Sequence, residues 1–303
     1  MAIVDGKCSD NYIDNILEIL RQDMVALITD VDADDADNIV HGVADRLGLG
    51  DSLKLKAGLA RLGGHRRNIG RYFMSVNQRG DYQFIPPHSE GNSSGGIELA
   101  AFFCYENSTD GGETIFMNID ESGKAWNLLR EQVRRGRLTS RQLLPHEVLH
   151  AKALYHLDLS VDALQGDDQI LQAGRTSIAD LTVVDVLARP KKMFSRILGR
   201  SVYVYWDTIA SIDFDSAREY ECLLRQSGLL KVPPDGLAPI QMDNAAQRRI
   251  LHSGVEYIQL FKAKITRKLA SGDLVIQNNL TWCHAVTNWT PGSGSRRIVA
   301  SFA

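Results

Sequence analysis

Along the first fifty positions the apolar residues recur with the period of a helix. Ile13, Ile16, Leu17 and Leu20 fall on one stripe, with Asp10 placed to cap it. Ile39, Val40, Val43 and Leu47 form a second stripe, which Gly48 ends. From residue 67 the period changes. Residues 72–76, 98–105 and 113–119 are short runs rich in apolar, aromatic and β-branched side chains, and they predict strands. The last two are separated by Asn107-Ser108-Thr109-Asp110-Gly111-Gly112, and strand, turn and strand at this length predict antiparallel hairpins. Asp120 is placed to cap a helix running to about residue 135. Residues 202–206 predict another strand. Asp243 caps a predicted long helix to about residue 270, with Ile250, Leu251, Val255, Ile258 and Phe261 on its buried side and Gly272 at its end. Residues 274–276 and 298–300 predict the last strands. Residues 137–240 are mixed in pattern, and no internal repeat or low-complexity linker is present.

Composition narrows the class. The 303 residues are 44% hydrophobic and 23% charged, as in a soluble globular protein that can bury a substantial core. A formal net charge of -3 disfavours general nucleic-acid binding, and the local cluster Arg134, Arg135, Arg137 and Arg141 is expected to be a solvated helix end. Cys8, Cys104, Cys222 and Cys283 show no C-x-x-C spacing, so neither a zinc knuckle nor a disulfide framework is implied. The N-terminus lacks a basic region followed by an apolar run, and no apolar stretch has spanning length. A cytoplasmic protein with reduced thiols and no membrane partner is the expectation.

The candidate chemistry lies in His88-Ser89-Glu90 and a distant His284. In extended backbone, residues i and i+2 point to the same side, and Pro86-Pro87 favours extension just before His88. Two imidazole nitrogens and one carboxylate can hold one face of an iron(II) ion and leave the other face open. Cys283 would point away from His284's side and pack. Because the two halves of the site must meet in space, one domain is expected.

Further pieces stand in order around these residues: Gly111-Gly112-Glu113-Thr114 after the first half, Asn279 five residues before His284, and Arg296-Arg297-Ile298 after it. Over about residues 70–120 and 270–303 the chain resembles the taurine dioxygenase and clavaminate synthase group of iron(II)/2-oxoglutarate oxygenases. That resemblance implies an α+β fold with a double-stranded β-helix, or jelly roll, as its core, flanked by helices and carrying a variable insert. It implies a single oxygenase domain over 1–303: an N-terminal helical part (1–66), the first core half (67–136), an insert or lid (137–240), and a helix with the last core strands (241–303). His88, Glu90 and His284 would be the iron ligands, with 2-oxoglutarate and O2 on the remaining positions. Thr114 and Arg297 would hold the far carboxylate of 2-oxoglutarate, since Arg offers a planar, permanent charge. Arg296 and Arg297 alternate on a strand, so only one points inward, and the family register favours Arg297. With Glu90 present, the resemblance implies hydroxylation, desaturation or cyclisation of an unactivated C–H bond, not halogenation, with release of succinate and CO2. It hints at a small amino-acid-derived substrate in secondary metabolism, free or carrier-bound. Where the taurine enzyme carries a second Arg for a sulfonate, this chain has Ser301; Arg71 or Arg79 could hold a substrate carboxylate instead. Trp206, Trp282 and Trp289 could line a pocket, with core packing the default.

A rival motif is His146-Glu147-Val148-Leu149-His150, the spacing of zinc proteases, with His156 where a third ligand could fall. Pro145 would force the helix to start at the motif, Ala153 stands where a turn glycine is used, and no secretory signal is seen. Its bland counterpart is a polar helix end with solvated histidines. A zinc-dependent hydrolase and a non-catalytic jelly-roll binding protein are therefore the alternatives.

Overall fold

Both helical stripes fold as helices. In the computed structural model, which describes residues 2–5, 12–62, 66–76, 82–91, 96–205, 216–236 and 257–303, α1 (Tyr12–Gln22) buries Ile16, Leu17 and Leu20. Helix α2 (Ala33–Arg46) buries Ile39, Val40 and Val43, and the chain leaves it through Gly48 at φ +71°. Asp10 lies outside the described residues. The pattern did not show α3 (Gly50–Leu62), which completes a helical layer, nor the strands β1 (Ala2–Asp5) and β2 (Val25–Thr29).

Two sheets make the centre. The larger has the order β1, β2, β13 (Leu274–Asn278), β5 (Leu99–Asn107), β15 (Arg296–Phe302) and β3 (Met74–Ser75). The smaller has the order β12 (Phe261–Arg267), β6 (Thr114–Ile119), β14 (Trp282–Val286) and β4 (Ile85–His88). Within them only β1 and β2 pair in parallel. The sheets share one apolar cluster, in which Phe102, Val275, Ile298 and Phe302 of the larger meet Phe116 and Trp282 of the smaller. The alternate residues of the larger sheet, among them Phe103, Ile276 and Val299, pack against Leu20, Val40, Val43 and Leu53 of the helices. On the smaller sheet, Ile115, Met117 and Cys283 pack outward on Trp126, Tyr220 and Leu224. The strands are thus buried on both faces. Truncating a residue such as Phe116, fully buried between the layers, is expected to cost about 3–5 kcal/mol.

Three expectations are corrected. Strands β5 and β6 form no hairpin: β5 pairs with β13 and β15, while β6 pairs with β12 and β14, so the glycine-rich turn carries the chain from one sheet to the other. The helix expected after Asp120 is only one turn, α4 (Ala125–Leu128), and β7 (Glu131–Leu138) follows. Half of the predicted 243–270 helix lies outside the described residues, but Tyr257–Leu260 is a 3-10 turn and Phe261–Arg267 is β12, drawn out by pairing with β6.

Strand β7 joins β9 (Leu181–Ala188) and β8 (Gln169–Arg175) in a three-stranded sheet with α5 (Pro145–Tyr155) nearby, packed on small apolar clusters of its own. The arginine cluster sits here, not at a helix end, and three of its four charges are matched: Arg134 with Asp185, buried Arg135 with Asp168, and Arg141 with Glu147 and Asp180. Among the described residues no helix is long and apolar enough to cross a membrane. Cys104, Cys222 and Cys283 are free thiols.

Candidate metal centre between the sheets

The two halves of the sequence signal meet through strand pairing. Strand β4 runs antiparallel to β14, with His88 directly opposite His284 and the ring centres 4.3 Å apart. Glu90 follows two residues after His88, on the same side. Its Oε1 lies 3.7 Å from His88 Nε2 and 3.6 Å from His284 Nε2. The intervening Ser89 and Cys283 point the other way and meet each other, Oγ to Sγ 3.5 Å. Among the described residues, His88, Glu90 and His284 are the one convergent group of three or more His, Cys, Asp or Glu side chains, with donor atoms all within 4.8 Å.

Neighbours fix the donors. Nδ1 of His88 is 2.9 Å from the Pro86 carbonyl oxygen, which can only accept, so Nδ1 donates there and Nε2 is the nitrogen turned to the site. The side-chain nitrogen of Gln277 lies 3.4 Å from His284 Nδ1, and the Phe102 ring packs 4.5 Å from the His284 ring. Asn279 clamps the backbone of Glu90: the Glu90 N–H donates to Asn279 Oδ1 (2.9 Å), and Asn279 Nδ2 donates to the Glu90 carbonyl (2.9 Å) and that of Ile97 (2.8 Å).

Electrostatics leave the group ready to bind a cation. Burial pushes the His284 imidazole down to about 4, helped by the nearby His88 and Arg66 charges, so it is neutral near pH 7. Burial alone would raise the Glu90 carboxyl, but the contacts with His284 and His88 outweigh it and hold the group well below the usual carboxylate range. Two imidazole nitrogens and one carboxylate oxygen are a donor set suited to a divalent transition metal. Bonds of about 2.1 Å place neighbouring donors about 3 Å apart, so the side chains need close only slightly around an ion.

The inner face continues toward Thr114 and Arg296. Thr114 is buried opposite Val286, two residues along from the facing pair Phe116 and His284, or about 7 Å at the strand rise. The β15–β5 pairing shifts register between Arg297 and Ile298, and the surroundings tell the two arginines apart: Arg296 is half-buried within electrostatic reach of Cys104 on the inner side, whereas Arg297 is exposed over the Tyr105 ring at 4.3 Å. The inward arginine is therefore Arg296, not the expected Arg297. Burial pulls Arg296 down to about 10, against the opposing influence of Cys104 and Glu113. It has no ion-pair partner among the described residues; its Nε donates to the Gly112 carbonyl (3.2 Å), and its guanidinium packs over Trp289. The two glycines of the crossing turn permit this packing. A Cβ on Gly111 would lie 2.1 Å from the Asn288 carbonyl, and one on Gly112, at φ +77°, would lie 2.9 Å from Arg296 Cδ.

Sequence reasoning missed Arg66. Its Nη2 lies 3.6 Å from Glu90 Oε2, and its guanidinium sits 5.0 Å from the centre of the Phe302 ring. It precedes β3 without any motif, so nothing in the pattern singled it out. Arg71 is exposed and lies over Tyr72, and Trp282 is a core residue whose Nε1 donates to the Asp23 carbonyl (3.0 Å). Arg79 and Trp206 lie outside the described residues.

The rival motif does form a helix beginning at Pro145. His146 and His150 are exposed, with ring centres 6.4 Å apart. Glu147 is held by both Arg141 nitrogens at 2.6 Å and by the Leu144 N–H, and these contacts draw its carboxyl down to about 2. His156 takes the left-handed residue at the helix end. These side chains converge on no common point.

No family model matches the chain, and no curated protein does. Solved structures do resemble it. The PvcB protein from Pseudomonas aeruginosa is 14% identical with a TM-score of 0.41, over 98% of this chain and 80% of that one. AAD-2, solved with Mn(II) and N-oxalylglycine, is 12% identical with a TM-score of 0.39, over 98% and 88%. A Burkholderia xenovorans protein described as an alpha-ketoglutarate-dependent taurine dioxygenase is 8% identical with a TM-score of 0.42, over 99% and 89%. At TM-scores below 0.5 these likenesses carry no argument, and function rests on the geometry of this chain.

Proposed function

We propose that this protein is a non-haem iron(II)/2-oxoglutarate-dependent oxygenase, a single domain whose facing sheets form a jelly-roll core. One observation carries the reading: a His-x-Glu and His donor group and an inward arginine with no ion-pair partner among the described residues share the interior of one sandwich. His88, Glu90 and His284 hold the metal. Arg296 takes the far carboxylate of 2-oxoglutarate, the role expected of Arg297, and Thr114 borders the same end. A half-buried guanidinium of this kind is a good partner for a carboxylate because less water competes than at the surface. With iron, 2-oxoglutarate and O2 bound, the centre supplies an oxidant for an unactivated C–H bond, and succinate and CO2 are released.

The chain's own contribution is to bind, orient and exclude water. Phe102, Phe116 and Trp282 wall the interior with apolar surface. Residues 137–240 serve as the specificity insert, tied to the ligand loop where the Ser89 N–H donates to the Tyr205 carbonyl (3.1 Å). Hydroxylation, desaturation or cyclisation of a small amino-acid-derived substrate, free or carrier-bound, fits this centre. The test is anaerobic addition of iron(II) and 2-oxoglutarate to metal-free protein. A weak visible charge-transfer band that needs both is expected, and its absence in the native protein overturns the assignment.

A further inference from the structure

The two oxygens of Glu90 face different partners. Oε1 meets both imidazole nitrogens, at 3.7 and 3.6 Å, while Oε2 meets only the Arg66 guanidinium among the described ion pairs, at 3.6 Å. A carboxylate can bind a divalent cation through one oxygen or through both. Binding through both would occupy a position on the metal's open face. The backbone of Glu90 is already fixed by Asn279, so its remaining freedom is in the side-chain torsions. Arg66 Nη2 stands on the Oε2 side of that carboxylate, 3.6 Å away. The guanidinium is itself held against Phe302 of β15, and the pair is largely shielded, with side-chain exposures of 22% and 17%.

We propose that Arg66 is a positioning residue that keeps Glu90 a one-oxygen ligand by engaging its second oxygen. This rests on the reading of His88, Glu90 and His284 as a metal centre. Removing Arg66 takes away a nearby positive charge and frees Oε2, so metal binding should hold or tighten while the open face is lost.

The experiment uses Co(II) as the probe, titrated into metal-free native protein and the Arg66→Met and Arg66→Lys variants, with visible absorption recorded before and after 2-oxoglutarate is added. Arg66→Met is expected to bind Co(II) at least as tightly as the native protein. It should show a changed Co(II) spectrum before any 2-oxoglutarate is present, and bind 2-oxoglutarate about tenfold or more weakly. Arg66→Lys, which keeps the charge and serves if the Met variant does not fold, should shift toward the native spectrum. An unchanged Co(II) spectrum in both variants overturns the proposal, even if 2-oxoglutarate binding falls, because that would mean a direct contact with the cosubstrate. Weaker Co(II) binding in both variants also overturns it, as the mark of a merely structural residue. Failure of the underlying centre looks different: native protein would bind no Co(II), or would bind it equally well in Glu90→Ala.

Discussion

Two groups of the same residue types, two histidines and a glutamate, sit in opposite surroundings. His146, Glu147 and His150 lie on exposed α5 at the spacing of a metalloprotease motif, yet Arg141 takes both oxygens of Glu147. His88, Glu90 and His284 have no helical spacing, yet two strands bring them together between sheets, and Arg66 engages just one oxygen of Glu90. A carboxylate gripped at both oxygens has little left for a cation; one gripped at a single oxygen presents the other. Spacing along a helix is thus a weaker guide to a metal site than the pairing of charge around it.

The sharpest way to break the comparison is to disable each group in turn. Glu90→Ala or His284→Ala is expected to weaken Co(II) or iron(II) binding by about 100-fold or more, since a first ligand should matter at least as much as the outer partners whose loss costs about 10–100-fold. His146→Ala with His150→Ala should leave binding within about twofold, because neither reaches the centre. Calorimetric titration reads both, and loss of binding in the second pair of changes would return α5 to consideration.

The two adjacent arginines come next. Arg296→Ala should raise the Kd for 2-oxoglutarate by about 30-fold or more, as when one partner of a buried charge pair is removed (about 2–5 kcal/mol), while Arg297→Ala, exposed over Tyr105, should change it by less than about threefold. Quenching titration with the metal-loaded protein distinguishes them, and the reverse order would restore Arg297 to the site.

The smallest effect is a pH dependence of stability. Burial lowers His284 to about 4 from 6.5, so between those values the unfolded chain binds a proton that the folded protein does not. Metal-free protein should therefore lose up to about 1.4 kcal/mol per pH unit as pH falls through that window. The Glu90 contribution, from a carboxyl lowered below 4.5, is lost only under more acid conditions. Urea unfolding at about pH 7.5 and about pH 5.5 should show the loss in native protein and a smaller one in His284→Gln. An equal loss in both would exclude His284 as its source.

How much of this was legible depends on what each pattern can encode. The stripes of α1 and α2 were plain because those helices bury one side only. Strands β5, β13 and β15 were legible as strands, but not in their facing, because both of their faces are buried. Ile298, Ala300 and Phe302 look inward, and Val299 and Ala303 look to the helices, so apolar residues mark both rows and the inward arginine could not be told from its neighbour. The turn at 107–112 was visible, but turn residues do not say whether the chain doubles back or crosses to a facing sheet. In β7, Arg135 is buried through its pairing with Asp168, a partner 33 residues away that no local pattern could supply.

By itself the sequence determined the donor types, the His88-x-Glu90 spacing that puts two of them on one side of an extended segment, the helical stripes, and the glycines of the crossing turn. Each depends on chemistry or geometry carried within a few residues. Only the tertiary structure decided that His284 stands opposite His88, that Arg296 rather than Arg297 looks inward, that Arg141 neutralises Glu147, and that Arg66 stands beside Glu90. Those outcomes depend on which strands pair and which faces are covered. They are set by burial and charge pairing between segments far apart in the chain, where local pattern has no information.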